Sequence, residues 1–305
     1  MRGLSLLDYV QRWVKEPPPE FLFEVSEKGL AWAQTRDAAN FHTQPAMEKA
    51  LTASSSQPNI LRADIYRLLL PASNKGKATR NVGAALAIPD HATRMSVLDF
   101  EEFPSDEEQR IGLVRFRLRK SVPFPIDDAQ VAYSIQWHED KQIEVLAAAI
   151  ARPIVEEYEQ LLRDAGYQVG LVIPSTLAAL PLCGSEATGL TLLAKASGDT
   201  LSIVLLDHNR VRVIRSINFA EEYEDSLSAE TGVTRALQQT IAYSEDQIGQ
   251  SVARLLLCGF GRETETLGSG IEQEFGIPWT PLRSRFGAAT QENAGLLGLM
   301  ERYTA

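Results

Sequence analysis

Cys258-Gly259-Phe260-Gly261-Arg262 sets two glycines directly after the apolar run Leu255-Leu256-Leu257. Residues without a Cβ let backbone N–H groups approach a phosphate closely, and they also make tight strand-to-helix turns for geometry alone. A lone Gly-x-Gly does not decide between the two. Arg115, Arg117, Arg119 and Lys120 crowd one short segment, which makes either a solvated helix face or a seat for an acidic partner strand or tail. Glu221-Glu222-Tyr223-Glu224-Asp225 resembles paired carboxylates for acid–base work, but so dense a cluster reads as a solvated loop. The four histidines, His42, His91, His138 and His208, form no recognisable metal pair. Cys183 and Cys258 lie in apolar surroundings without metal-ligand spacing. No Gly-x-Ser-x-Gly elbow, His-Glu-x-x-His pair or complete P-loop occurs, so the commonest hydrolase motifs are missing.

The elements that must position these groups alternate between strands and helices. Leu6/Leu7, Val10 and Trp13/Val14 have helical spacing, which predicts a helix packed on its own domain or docked on a membrane surface. Pro17-Pro18-Pro19 follows as a stiff spacer. Phe21–Ser26 and Leu30–Gln34 predict a hairpin turning at Glu27-Lys28-Gly29, and 35–58 is mixed and polar. Ile60–Leu70 predicts a helix. Ser73–Lys77 turns the chain into the small-residue strand Asn81–Ile88, closed by Pro89-Asp90, and Ala92–Phe100 is a further strand. Ser105-Asp106-Glu107-Glu108 reads as a capping box with Ser105 as cap, opening a helix that carries Ile111, Val114 and Leu118 on one face. Val131, Tyr133, Ile135 and Trp137 alternate as in a half-buried strand, and Ile143–Ile150 is a buried one. Then come the helix Arg152–Ala165 stopped by Gly166, the strand Tyr167–Ile173 and the helix Ser175–Leu182. A second hairpin, Leu201–Leu206 with Val211–Ile217, turns at His208-Asn209. Helices follow over Ala229–Gln250, Thr264–Phe275 and Asn293–Tyr303. Such an order is that of an α/β protein.

The 305 residues suffice for two domains, and 44% hydrophobic with 23% charged residues is a soluble globular balance. A net charge of −10 argues against nucleic acid, whose phosphates demand a basic footprint. No apolar run reaches the ~18–20 residues needed to span a bilayer. The N-terminus has charge inside its apolar stretch and lacks a small-residue cleavage site, so a cytoplasmic location is expected.

Lys120-Ser121-Val122-Pro123-Phe124-Pro125-Ile126-Asp127-Asp128 is the most distinctive stretch. Each proline fixes its own φ and keeps the preceding residue out of the helical region, so a helix must end near Ser121 and an extended strand must follow. With the acidic helix start at Ser105, the basic helix and the alternating strand to Tyr133, this step resembles the centre of the PilM family, cytoplasmic actin-like proteins of type IV pilus assembly. Glu144–Ala151, then Val155–Gly166 with Tyr158, Leu161 and Leu162, and the closing Gly295-Leu296-Leu297-Gly298-Leu299 extend the resemblance from about Phe21 to Arg302. It implies a two-lobed actin-like (ribonuclease H-like) α/β fold with a small inserted α+β subdomain. The expected boundaries are 1–20 for the helix and proline spacer, 21–165 for the first lobe with its insert at about 80–140, and 166–305 for the second lobe.

The resemblance also implies where a nucleotide would bind: two hairpins carrying Asp-x-Gly, and a glycine pair near the adenosine. At those places this chain has Glu24-Val25-Ser26, Lys195-Ala196-Ser197 and Gly259-Phe260-Gly261. Glu24 is a conceivable carboxylate beside a metal, whereas a lysine cannot ligate Mg²⁺, and Glu27 adds a charge that repels phosphate. The segment from Gly166 to Leu182 has no acidic residue where the family places carboxylates. The expectation is therefore a degenerate member without turnover or resident ATP and Mg²⁺. The implied partner is the cytoplasmic tail of a PilN-like inner-membrane protein, which would tie the chain to that membrane. Phe124, Val131, Tyr133, Arg115 and Arg119 are the candidate contacts, and a second copy of the chain is a further candidate partner. The alternatives are an active ATPase using Glu24, Lys195 and the Gly259/Gly261 turn, or a GspL-like platform component of type II secretion.

Overall fold

The computed structural model describes residues 18–71, 82–139, 142–184, 189–218 and 226–304, with only the backbone of 226–231. The N-terminal helix expected over Leu4–Val14, the turn at Ser73–Lys77 and the acidic cluster Glu221–Asp225 lie outside them.

The first hairpin forms as expected from β1 (Phe21–Ser26) and β2 (Gly29–Gln34). β3 (His42–Pro45) adds to it at the edge. The sequence had left 35–58 without a strand, because this exposed edge has no apolar alternation to betray it. The helix α1 (Ala63–Leu69) leads to β4 (Val82–Ile88), which pairs parallel to β1. Next come β5 (Arg94–Phe100), α2 (Glu107–Leu118), β6 (Ala129–Glu139), β7 (Gln142–Ala151) and α3 (Arg152–Arg163). The first lobe closes with β8 (Tyr167–Pro174) and α4 (Ser175–Ala179). The second lobe consists of β9 (Leu190–Ser197), β10 (Thr200–Asp207), β11 (Arg210–Asn218), α5 (Ser226–Tyr243), β12 (Val252–Cys258), α6 (Thr264–Phe275) and β13 (Trp279–Pro281). A small ribbon of β14 (Arg283–Ser284) and β15 (Gly287–Ala288) precedes the last helix, α7 (Ala294–Tyr303).

Two five-stranded sheets share one plan. Their orders, β3-β2-β1-β4-β8 and β11-β10-β9-β12-β13, are each three antiparallel strands followed by two parallel ones. A third sheet, β5-β7-β6, belongs to the insert and is covered on one face by α2. The insert thus spans 94–151 rather than about 80–140, because β4 is committed to the first sheet. The lobe division likewise falls after β8, which pairs with β4, rather than at 166. The last helix, expected with the second lobe, packs against the first sheet.

Alternation along each strand builds two faces per sheet. In the first sheet, Phe23, Leu86 and Leu30 pack with Ile154, Tyr158 and Leu162 of α3, while Leu22, Ala31, Ala85 and Ala87 pack with Leu296, Leu297 and Met300 of α7. In the second, Leu192, Ile203 and Leu255 meet Leu237 of α5 and Ile271 of α6. The opposite face, with Leu193, Val204, Leu206 and Leu256, shares one core with Met95 and Leu146 of the insert.

Local details depart from expectation for identifiable reasons. Asp106, not Ser105, caps α2, its carboxylate accepting the Gln109 N–H at 2.9 Å. The helix ends at Leu118, whose carbonyl accepts both the N–H and the hydroxyl of Ser121, two residues before Pro123. The helix read over Ser175–Leu182 stays α-helical only to Ala179, since Pro181 cannot continue it. The long helix stops at Tyr243 and ends in a wider turn, Ser244–Ile248, closed by left-handed Gly249.

Candidate functional site

The two long hairpins end in the same register. Glu24 pairs across to Ala31 in the first, and Lys195 pairs across to Ser202 in the second. In each, a charged side chain stands two residues before the turn. Because Leu22 points to α7 and Leu193 to the core between the lobes, alternation turns Glu24 and Lys195 onto those same faces. Both side chains are buried, at 1% and 0% exposure.

Asp90, which follows β4 at Pro89, holds the centre. Its Oδ2 accepts the Lys195 ammonium at 3.1 Å, the Ser202 hydroxyl at 2.9 Å and the Thr176 hydroxyl at 2.6 Å, and its Oδ1 accepts the Thr176 N–H at 2.8 Å. Glu24 accepts the Leu296 N–H at the start of α7 at 2.8 Å and the Ser175 hydroxyl. Five elements thus converge: β1, the end of β4, α4, the β9–β10 hairpin and α7.

One ammonium faces two buried carboxylates. Burial pushes the Glu24 carboxyl above its ordinary range, and the Lys195 charge with the Ser175 and Leu296 hydrogen bonds only partly offsets it. Burial alone would lower Lys195, but Asp90 and Glu24 outweigh it, and its pKa lies above the ordinary lysine value. Lys195 therefore stays charged at neutral pH. A fixed ammonium at this point repels a divalent cation and has spent the Asp90 oxygens that would otherwise ligate one. No group of three or more His, Cys, Asp or Glu side chains with metal-site geometry occurs among the described residues.

The two hairpin turns face each other, and Glu27 lies between them. One of its oxygens accepts the Ala53 N–H at 2.8 Å. The other rests on Gly198, where a Cβ would come within 1.7 Å of it and φ is +57°. Glycine there makes room for the carboxylate.

The remaining expected residues have local duties. Ser26 Oγ donates to Gly29 O at 3.2 Å and Ser197 Oγ to Gln291 O at 3.2 Å. Gly259, at φ +86°, lies so close to β9 that a Cβ would sit 2.0 Å from Ala196 O, whereas Gly261 opens into free space. The structure thus unites Glu24 and Lys195 in one network and stacks Gly259 beside it, but leaves Gly261 outside. Sequence reasoning missed Asp90, Ser175, Thr176 and Ser202. The Pro89-Asp90 step after a run of small apolar residues was the available signal, for a carboxylate there has to enter the interior.

The expected partner contacts separate. Val131 and Tyr133, at 6% and 5% exposure, are core residues packed beneath α2, and Phe124 is half-buried against the same cluster. Arg115 turns inward to donate to the carbonyls of Ile126 and Ala129, and so holds the Pro-Phe-Pro link. Arg119 remains on the surface, 3.4 Å from Asp127.

Two sheets of identical strand order, meeting at the ends of their first hairpins, define the actin-like fold. No protein-family model matches the chain, and no curated protein matches it. Among solved structures, a PilM-PilN type IV pilus biogenesis complex is similar over 95% of this chain and 100% of that one, with a TM-score of 0.73 at 18% identity. A Bacteroides thetaiotaomicron protein with an actin-like ATPase fold and unknown function is similar over 92% of this chain and 95% of that one, with a TM-score of 0.55 at 12% identity.

Proposed function

We propose that this chain is a PilM-like cytoplasmic scaffold of type IV pilus assembly, or of a related secretion machine, and not a working ATPase. The observation that carries the reading is the Lys195–Asp90 pair, buried where the two hairpins of an actin-like ATPase would grip Mg²⁺ and phosphate. Glu27 wedged against Gly198 supports it, since a carboxylate between the hairpins opposes a phosphate both by volume and by charge. A fold whose hairpins are filled by its own side chains is suited to holding other proteins. The full-length likeness to the PilM-PilN complex and the Pro-Phe-Pro step support the pilus assignment and a PilN-like partner.

The tail of such a partner has a natural seat on β6. That strand ends its sheet, and among the described residues no strand pairs with its outer edge. An eleven-residue edge invites an added strand, with main-chain hydrogen bonds giving affinity. No described helix is long and apolar enough to cross a membrane, so the attachment to the inner membrane would come through this partner.

Calorimetric titration with the cytoplasmic tails of bitopic inner-membrane proteins encoded beside this gene tests the reading. Saturable binding that is weakened by proline at Ala132, on the β6 edge, is expected. A parallel melt in millimolar Mg-ATP should show no shift, whereas a ligand at ~100 times its Kd would add ~2.7 kcal/mol. Failure of every such tail to bind, or ATP turnover lost on Gly261→Arg, would overturn it in favour of an active ATPase.

A further inference from the structure

The two lobes and the insert are fastened to one another at three separated places. At the base, Asp90 of the first lobe takes Lys195 and Ser202 of the second. Between the hairpin turns, Glu27 lies on Gly198. Above them, the insert clasps β11: the Gln136 side-chain amide accepts the Val211 N–H at 2.8 Å and donates to Val211 O at 3.1 Å, as a neighbouring strand would. Beside it, Glu144, itself 4% exposed, takes Arg210, whose guanidinium stacks over Trp137 at 4.4 Å. Met95 and Leu146 of the insert complete the apolar core of the second sheet.

We infer that Lys195 is a tethered internal cation that, together with the Gln136–Val211 clasp, keeps the lobes closed without any ligand. Two lobes on a shared hinge ordinarily approach each other because something bound between them interacts better with the closed state. Here the cation that pairs with the first lobe's Asp90 is carried by the second lobe of the same chain, so its effective concentration is fixed and its release would strand an ammonium and a carboxylate in the interior. The closed state then has no ligand-dependent term to lose. This rests on the observed contacts and not on the pilus assignment.

Spin labels at Glu156→Cys on α3 and Glu272→Cys on α6 would report the distance between the lobes by pulsed electron resonance. Both positions are exposed, while Cys183 and Cys258 are buried and so shielded from the label. The full chain should give one narrow distribution, unchanged by millimolar Mg-ATP or Mg-ADP. Lys195→Met should broaden it at pH 8. Lys195→Met with Glu24→Gln and Asp90→Asn, which leaves no unpaired charge in the network, should be narrow at that pH. Should Lys195→Met fail to fold, Gln136→Ala with Arg210→Ala provides the same reading at the clasp and should broaden the distribution. A broad or nucleotide-responsive distribution in the unaltered chain would overturn the inference. So would a distribution left narrow at pH 8 by both Lys195→Met and the clasp variant. Neither result would touch the tail-binding assay, so failure of the inference is distinguishable from failure of the proposed function.

Discussion

Asp90→Ala is the sharpest test of the buried network. The substitution removes the acceptor of four hydrogen bonds and, among the described residues, leaves the Lys195 ammonium with Glu24 as its nearby counter-charge. Breaking a buried ion pair from one side costs about 3–5 kcal/mol. The Ser202 hydroxyl can fall back on Ser216, 3.0 Å away, but the Thr176 N–H loses its partner, which adds about 1–3 kcal/mol and need not sum simply with the first figure. Taking 3–5 kcal/mol at about 2–4 °C per kcal/mol, the melting temperature should fall by roughly 6–20 °C. Asp90→Asn keeps the shape and one acceptor and should fall less. Calorimetric melts of Asp90→Asn, Lys195→Met and the double variant close a thermodynamic cycle, which should give a coupling of about 2–3 kcal/mol, the double variant being more stable than the singles predict. An Asp90→Ala variant within about 1 kcal/mol of the parent, or an additive cycle, would refute the view that these charges depend on each other.

The folded pKa of Lys195 lies above the ordinary 10.5, so the stability it contributes is fully present below that value and drains away as pH rises through the folded pKa. Alkaline urea titrations should show this loss in the parent, and a shallower one in Lys195→Met. Gly259→Ala combines a left-handed φ of +86° with a Cβ only 2.0 Å from Ala196 O, so it should cost more than Gly261→Ala, whose φ of +58° meets open space. Roughly 1–2 kcal/mol for Gly261→Ala and at least about twice that for Gly259→Ala is expected by denaturant unfolding. Arg115→Ala removes the donor to the carbonyls of Ile126 and Ala129 and should loosen the Pro-Phe-Pro link, read as faster amide exchange at Asp128 and Ala129 with the second lobe unaffected.

Much of the architecture could be read from short signals. Both hairpins, the helix before Pro123 and the buried run at Ile143 betray themselves through periodicity and turn residues. β3 escaped because an exposed edge strand, His-Thr-Gln-Pro, has no buried face to impose a pattern. The division between lobes escaped because β8 and α7 are placed by pairing and packing with residues far away in sequence. The site was half legible. Glu24 and Lys195 are placed at matching hairpin positions by the family resemblance, but Asp90 is recruited across 105 residues, and no local pattern marks an acid destined for a lysine that distant.

The docking of α7 has a consequence for the growing polypeptide. Leu22, Ala31, Ala85 and Ala87 are made within the first third of the chain, yet the helix that covers them contains Leu296, Leu297 and Met300. The Glu24 carboxylate waits for the N–H of Leu296, 272 residues later. At about 5–20 residues per second on the ribosome, the earliest sheet spends some 10 seconds or more with one apolar face bare. A nascent chain of this kind is a natural client for holding chaperones, and truncation before Asn293 would leave the first lobe unable to finish.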